Sequence, residues 1–229
     1  MPEQQPHRPG RNHDIPRELL LKLGHISPPK PHQEIVAKLA SCVSGPTITI
    51  ETLEAFLTAC PQVIGGKTRY LVSGGFAVDI TTGQTRAHKD IDIVLLSKKD
   101  ASPQWCSCKL DAVQPETYFG HMNLTSEVFL KSARRLTTRP NEMGIPVAVV
   151  HPAILLVQKS SDFYGKAPRH EDAQDARALA DQLKREVTSH RDEWRSLIFQ
   201  GFSGLEDNVR PKTLSRLAPV LRYLQITDQ

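Results

Sequence analysis

The alternation of apolar and polar positions divides the chain into helical and extended stretches. Leu53, Phe56, Leu57 and Cys60 recur at helical spacing and predict an amphipathic helix over residues 48–60, broken by Gly65-Gly66. Ile35, Leu39 and Val43 predict another over residues 31–43, and IPRELLLKLG a short one near Pro16 that stops near Gly24. TRYLVS is a short apolar strand. FAVDITTG is a helix that closes at Gly83. DIDIVLL is a strand with a polar start and a buried end. Residues 99–113 and 116–130 read as a pair of strands, and PVAVV as another. His151-Pro152 opens a helix with proline in its first turn. RHEDAQDARALADQLKRE is the clearest helix. HRDEWRSLIFQGF and PKTLSRLAPVLRYLQ follow as two more, the last interrupted by Pro219. The order is helices, strand-helix-strand, further strands, then helices. It predicts an α/β (α+β) fold, a mixed-sheet core flanked by helices with a helical C-terminal part.

Proline and charge refine the boundaries. Residues 1–32 hold Pro2, Pro6, Pro9, Pro16, Pro28, Pro29 and Pro31 and are expected to form a mobile segment. Residues 33–150 are expected to form the core and 151–229 the helical part. The 229 residues carry 29 Lys+Arg against 25 Asp+Glu, a net +4 that falls short of a dedicated nucleic-acid binder. No run approaches 18 apolar residues, so no membrane partner is expected. The N-terminus has no apolar signal core, which points to the cytoplasm. Cys106 and Cys108 are close, but a C-x-C pair lacks the second half of a zinc site, so the thiols read as structural.

The candidate chemistry lies in SGGFAVDITTGQTRAHKDIDIVLL, residues 73–96. Ser73, Gly74 and Gly75 fall where a strand passes into a helix, and glycines there let a ligand approach backbone N–H groups that favour phosphate. Asp90 and Asp92 are two apart on a strand, hence on one face. Alone, that pair reads first as a solvated strand start. Two parallel carboxylates also suit Mg²⁺, a hard cation that leaves room for substrate phosphates.

The spacing is more specific than the pieces. Gly-Gly-x-Ala-x-Asp, Gly83, then Thr85-Arg86-x-His88-x-Asp90-Ile-Asp92 resembles the nucleotidyltransferase superfamily with a polymerase-β-like catalytic core. The similarity is greatest to the aminoglycoside and lincosamide branch, with a similar layout in abortive-infection-type toxins. A second block resembles the same family: Lys159 ahead of Arg169-x-x-Asp172-x-x-Asp175. Together the two blocks cover residues 70–179. The resemblance implies transfer of a nucleoside monophosphate from an NTP, ATP first, to a hydroxyl of a small-molecule acceptor, with release of pyrophosphate. It implies two Mg²⁺ ions held by Asp90 and Asp92. It also implies nucleotide contacts from Ser73, Gly74, Gly75, Arg86 and Lys159. Arg86 could meet a phosphate or a carboxylate bidentately, or buttress the Asp90 loop. His88 is expected to order the loop by a hydrogen bond.

The family's third acidic residue lies on a later strand. Glu127, ahead of apolar Val128-Phe129-Leu130, is the expected catalytic and metal-binding match, although the family residue is usually Asp; Asp111 is the fallback. A polycationic acceptor would need further carboxylates, for which Asp79, Glu116, Glu142 and Asp175 are available. An RNA or protein acceptor is the alternative, with Lys131, Arg134, Arg135 and Arg139 as the basic patch for RNA. The other alternative is a non-catalytic nucleotide-binding module of the same fold. Trp194, Phe199 and Phe202 are read as core.

Overall fold

Short runs of Val, Ile, Leu and Tyr build the centre of the sheet. The computed structural model describes residues 47–64, 66–96, 105–106, 110–113, 115, 122, 124–139, 144–161 and 168–223. The helices expected before residue 47, the proline-rich segment, Cys42, Cys108, Glu116 and Glu142 lie outside these residues. Strand β3 (Tyr70–Val72) is fully buried. Strand β4 (Ile91–Leu95) is buried except at Asp92. Apolar side chains on both faces mark strands covered on both sides. The two pair antiparallel, Tyr70 with Leu95 and Val72 with Ile93.

Around them β5 (Trp105–Cys106), β6 (Leu110–Val113), β7 (Arg134–Thr137) and β8 (Pro146–Val149) complete a six-stranded mixed sheet in the order β5-β6-β4-β3-β8-β7. β4 runs parallel to β6 and β3 parallel to β8, and the other pairs are antiparallel. A small hairpin, β1 (Val63–Ile64) with β2 (Lys67–Thr68), stands apart and turns through Gly66 at φ 75°.

Among the described residues there are helices α1 (Ile50–Ala59), α2 (Gly74–Thr82), α3 (Ser126–Ser132), α4 (Pro152–Ser160), α5 (His170–Ser203) and α6 (Arg210–Tyr223). α2 lies on β4, and α5 packs along both α2 and α4. Gly83 ends α2 in the left-handed region, as its sequence position predicts. α4 is apolar on nearly every side and nearly wholly buried, so it is a core helix rather than an amphipathic one. The two C-terminal helices expected over residues 169–202 meet at His190, where φ −133° and ψ 18° interrupt one long helix. Trp194 is fully buried, and Phe199 and Phe202 pack partly buried against the core, as expected. The fold is thus α/β with a helical C-terminal part.

One expectation fails, and one strand is unforeseen. Residues 126–132 are helical, not extended. Thr125 precedes the first turn, Glu127 lies in it and Lys131 in the last, the charge order that complements a helix dipole. Conversely, RRLT forms β7, whose alternating half-buried and exposed positions hide behind two cationic residues.

Candidate functional site

The strand-to-helix junction is built on two glycines. Ser73 N–H donates to the Asp92 carbonyl at 2.8 Å, tying the end of β3 to β4. Gly74 begins α2 at φ +58°, and a Cβ there would stand 1.7 Å from Asp92 Oδ2. A Cβ on Gly75 would stand 2.5 Å from Cε1 and Nδ1 of His88. The glycines therefore admit the protein's own side chains: the Asp92 carboxylate lies on Gly74 and the His88 ring on Gly75. His88 also rests on Phe76, ring centroids 4.2 Å apart. Ser73 is 1% exposed, and its hydroxyl has no hydrogen-bond partner among the described residues, nor does it cap α2. A buried hydroxyl left without a partner is costly, which makes it a natural contact for a polar ligand at the helix start.

Asp90 immediately precedes β4 and Asp92 lies within it. Both are half-buried, with Ile91 and Ile93 buried on the opposite face. On the neighbouring parallel strand, Asp111 occupies the position in register with Asp92. Glu127 is placed differently. It lies in the first turn of α3, 73% exposed, in an i,i+4 ion pair with Lys131 at 2.7 Å. The strand context that singled it out is not there. Among the described residues, no three His, Cys, Asp or Glu side chains converge on a metal-sized space.

Residues of both blocks form a ladder of charge, buried at Asp79 and Asp175, part-buried at Lys159 and exposed at Arg169. Asp79, 2% exposed on α2, accepts hydrogen bonds from Arg86 N–H at 2.9 Å and Arg86 Nε at 2.8 Å, and its Oδ2 lies 3.0 Å from His88 Nε2. Arg86 Nη2 reaches on to Asp175 Oδ1 at 2.7 Å. Asp175, 3% exposed on α5, meets Lys159 Nζ at 3.0 Å, and Lys159 donates to Asp172 at 2.8 Å. Asp172 accepts from Arg169 Nε at 2.9 Å and from Arg169 N–H at 3.1 Å, closing the N-terminus of α5. Three carboxylates thus alternate with three cations from α2, the loop before β4, α4 and α5.

Local partners decide the ionisation of this ladder. Burial alone would raise the Asp79 pKa, but hydrogen bonds from His88 and Arg86 hold it below the usual range. Burial likewise opposes the Asp172 charge, and hydrogen bonds from Arg169 with the Lys159 charge bring its pKa down. Lys159 loses solvation and still titrates above its ordinary value, because Asp175 and Asp172 face it.

This geometry places the residues that the sequence singled out. Of the two roles open to Arg86, its contacts are with carboxylates, and His88 orders the loop through Asp79. Lys159 is met by two carboxylates. Asp79 and Asp175 are enclosed in ion pairs and cannot line a pocket for a polycation. The proposed basic patch is also depleted. Arg134 pairs with Glu193, Arg139 with Glu54, and Lys131 with Glu127. The sequence reading missed Asp79 as the hub of the ladder. Its position seven residues ahead of Arg86 and one helical turn before Gly83 was the available signal.

Compared with known proteins, the chain matches no family model and no curated protein. No helix among the described residues is long and apolar enough to cross a membrane.

Proposed function

We propose that the chain is a nucleotidyltransferase that moves a nucleoside monophosphate from an NTP, ATP first, to an acceptor hydroxyl and releases pyrophosphate. The observation that carries this reading is the Asp92 carboxylate seated on Gly74, beside the buried, unpartnered hydroxyl of Ser73 and two residues from Asp90. Hard carboxylate oxygens next to a helix N-terminus fit Mg²⁺ together with phosphate, since the cation keeps open positions for phosphate oxygens. Asp90 and Asp92 would hold the ions, and Asp111, in register with Asp92, replaces Glu127 as the third acid of the proposal. When bound, Mg²⁺ supplies charge neutralisation on the phosphates and acidifies an acceptor hydroxyl.

The chain's own contributions are orientation and charge. Ser73 Oγ and the first N–H groups of α2 bind phosphate oxygens. Gly74, having no Cβ, leaves the space in which the Asp92 carboxylate sits at the helix start. The His88–Asp79–Arg86 contacts hold the loop that carries Asp90. Lys159 and Arg86 act through this ladder as positioning residues and keep the catalytic strand registered against α5. The proposed setting is the cytoplasm, where NTP is available.

The test is a thermal-shift titration of wild type and Asp92→Ala with each NTP, with and without Mg²⁺, followed by transfer assays with an α-labelled NTP. A ligand of the native state raises Tm by mass action. The expected result is a Mg²⁺-dependent shift that Asp92→Ala removes. An equal shift in the variant, or none with any NTP, overturns the reading.

A further inference from the structure

A second concave region opens away from the glycine junction. It is a cleft of about 530 Å³ between α5 and α6, closed at one end by the last turn of α4. Its floor is small and apolar, from Ala173, Ala176, Ala180 and Val220. Its polar lining holds Lys159, whose charge Asp172 and Asp175 already meet, and beyond it Arg177, Lys184 and Arg216 against the carboxylate of Asp181. Asp181 is held by Lys184 at 3.2 Å in an exposed i,i+3 pair, the kind of contact a stronger anion displaces. Arg216 donates from Nη1 to the Ser160 carbonyl at 3.1 Å, which fixes the plane of its guanidinium at the cleft. Arg177 is exposed and has no ion pair among the described residues. Lys159 is shared with the charge ladder, so the cleft abuts the chain of contacts that leads through Arg86 to Asp79.

We infer that this cleft binds a phosphate-bearing portion of the acceptor. The inference rests on the nucleotidyltransferase reading for the word acceptor, and on the cleft alone for the anion. A polycation is repelled by this lining, and the buried carboxylates that might have attracted one are enclosed by Arg86 and Lys159. Guanidinium groups match phosphate oxygens two at a time, and a shallow apolar floor strengthens such contacts by lowering the local dielectric. The phosphate could belong to a free phosphorylated compound or to a phosphodiester chain, and the lining recognises the chemistry common to both.

Calorimetric titration of the full chain in metal-free buffer with EDTA separates the possibilities. The probes are inorganic tripolyphosphate and a short single-stranded oligonucleotide. Saturable, salt-sensitive binding of at least one probe is expected. Arg177→Glu with Lys184→Glu should weaken it roughly tenfold or more, the scale of losing one good charge-assisted contact. Both positions are exposed, so Tm should hold; Asp92→Ala should bind the probes as wild type does. Tighter binding of the oligonucleotide assigns the phosphodiester source, and tighter binding of tripolyphosphate the free one. Absence of binding by both probes, or equal binding by the double variant, overturns the inference. Failure of the Mg²⁺·NTP shift with normal probe binding would remove the transferase reading and leave the anion site standing.

Discussion

Two groups of aspartates sit close together in this fold and are held in opposite ways. Asp79, Asp172 and Asp175 are clamped by Arg86, Lys159 and Arg169 in an alternating ladder. Asp90 and Asp92 begin an interior strand, and Asp92 is seated against glycine backbone. The first arrangement satisfies its charges with side chains of the chain itself and joins α2, α4 and α5. The second sets carboxylates beside a helix start and glycine backbone, the place proposed for a cation and phosphate. Residue type does not distinguish the groups. Burial and the identity of the neighbour do. A motif listing Asp, Arg and Lys together therefore mixes residues clamped by one another with residues seated against backbone.

The largest effect should come from breaking the ladder. Lys159→Met leaves Asp172 and Asp175 facing each other without their shared cation. Removing one partner of a buried pair costs about 3–5 kcal/mol. For a chain of this size that corresponds to a Tm loss of about 6–20 °C. Asp92→Ala, by contrast, should shift stability by less than about 1 kcal/mol, because it removes a half-buried group whose surroundings include backbone. Urea unfolding of both variants tests the contrast. Equal losses would mean that Asp92 is structural as well.

Gly74→Ala attacks the second group from the backbone side. The new Cβ meets the Asp92 carboxylate, and φ +58° is strained for any residue with a side chain. The conformation alone costs about 1–2 kcal/mol, and the carboxylate must also move. The expected outcome is a moderate loss of stability with loss of any Mg²⁺-dependent nucleotide shift. Gly83→Ala is the control. It carries the same positive φ with open space around it, so it should lose stability and keep the nucleotide response.

Acid separates the ladder from another buried group, His151. This residue caps α4, its Nδ1 accepting from Ala153 N–H at 3.0 Å, and its ring meets Trp194 edge-on. Burial, with Arg134 and His190 nearby, pushes its pKa from 6.5 down to about 3. Glu193 is the acid that faces it, 3.8 Å from Nε2. Between those two values the unfolded chain binds the proton and the folded chain does not. Stability is therefore full above pH 6.5 and falls as pH drops toward 3, by about 2 kcal/mol between pH 7 and pH 5. Asp79 and Asp172, with lowered pKa values, contribute in a separate window. Their share is present above the ordinary carboxylate range and is lost as pH falls below it through their lowered pKa values. His151→Asn keeps a capping acceptor and cannot titrate. It should flatten the upper window and leave the lower one, as read from urea midpoints at a series of pH values.

The central fold was legible because its signals are local. Apolar runs mark β3 and β4, Gly83 ends α2, and proline opens α4. Asp90 and Asp92 could be placed on one face because a strand has a period of two. The ladder was only half legible. Spacing put Asp172 and Asp175 on one helical face, but no spacing reports that Arg86, far away in the chain, lies 2.7 Å from Asp175. Such pairings are properties of packing, in which α5 crosses α2. The errors cluster where elements are short. A seven-residue helix offers too few turns to display a period of 3.6. A four-residue strand that begins Arg134-Arg135 looks like a solvated run until its partner β8 is known.

That short helix gives the smallest expected effect and the finest cut through the comparison. Glu127 and Lys131 form an exposed pair, 73% and 75% accessible, of a kind that contributes about 0.3–0.5 kcal/mol. Glu127→Gln should therefore leave stability and nucleotide response as they are. Asp111, whose backbone is in register with Asp92, should behave in the opposite way. Asp111→Asn removes one charge at nearly constant volume, so it should reduce Mg²⁺ dependence and transfer while Tm holds or rises. Raising the Mg²⁺ concentration should recover part of the loss if the carboxylate is a ligand, because mass action then opposes weaker binding. The two substitutions remove the same charge from opposite settings, an exposed helical turn and a central parallel pair. If Glu127→Gln lost transfer while Asp111→Asn kept it, the third acid would lie on the helix, and strand register would have misdirected the assignment.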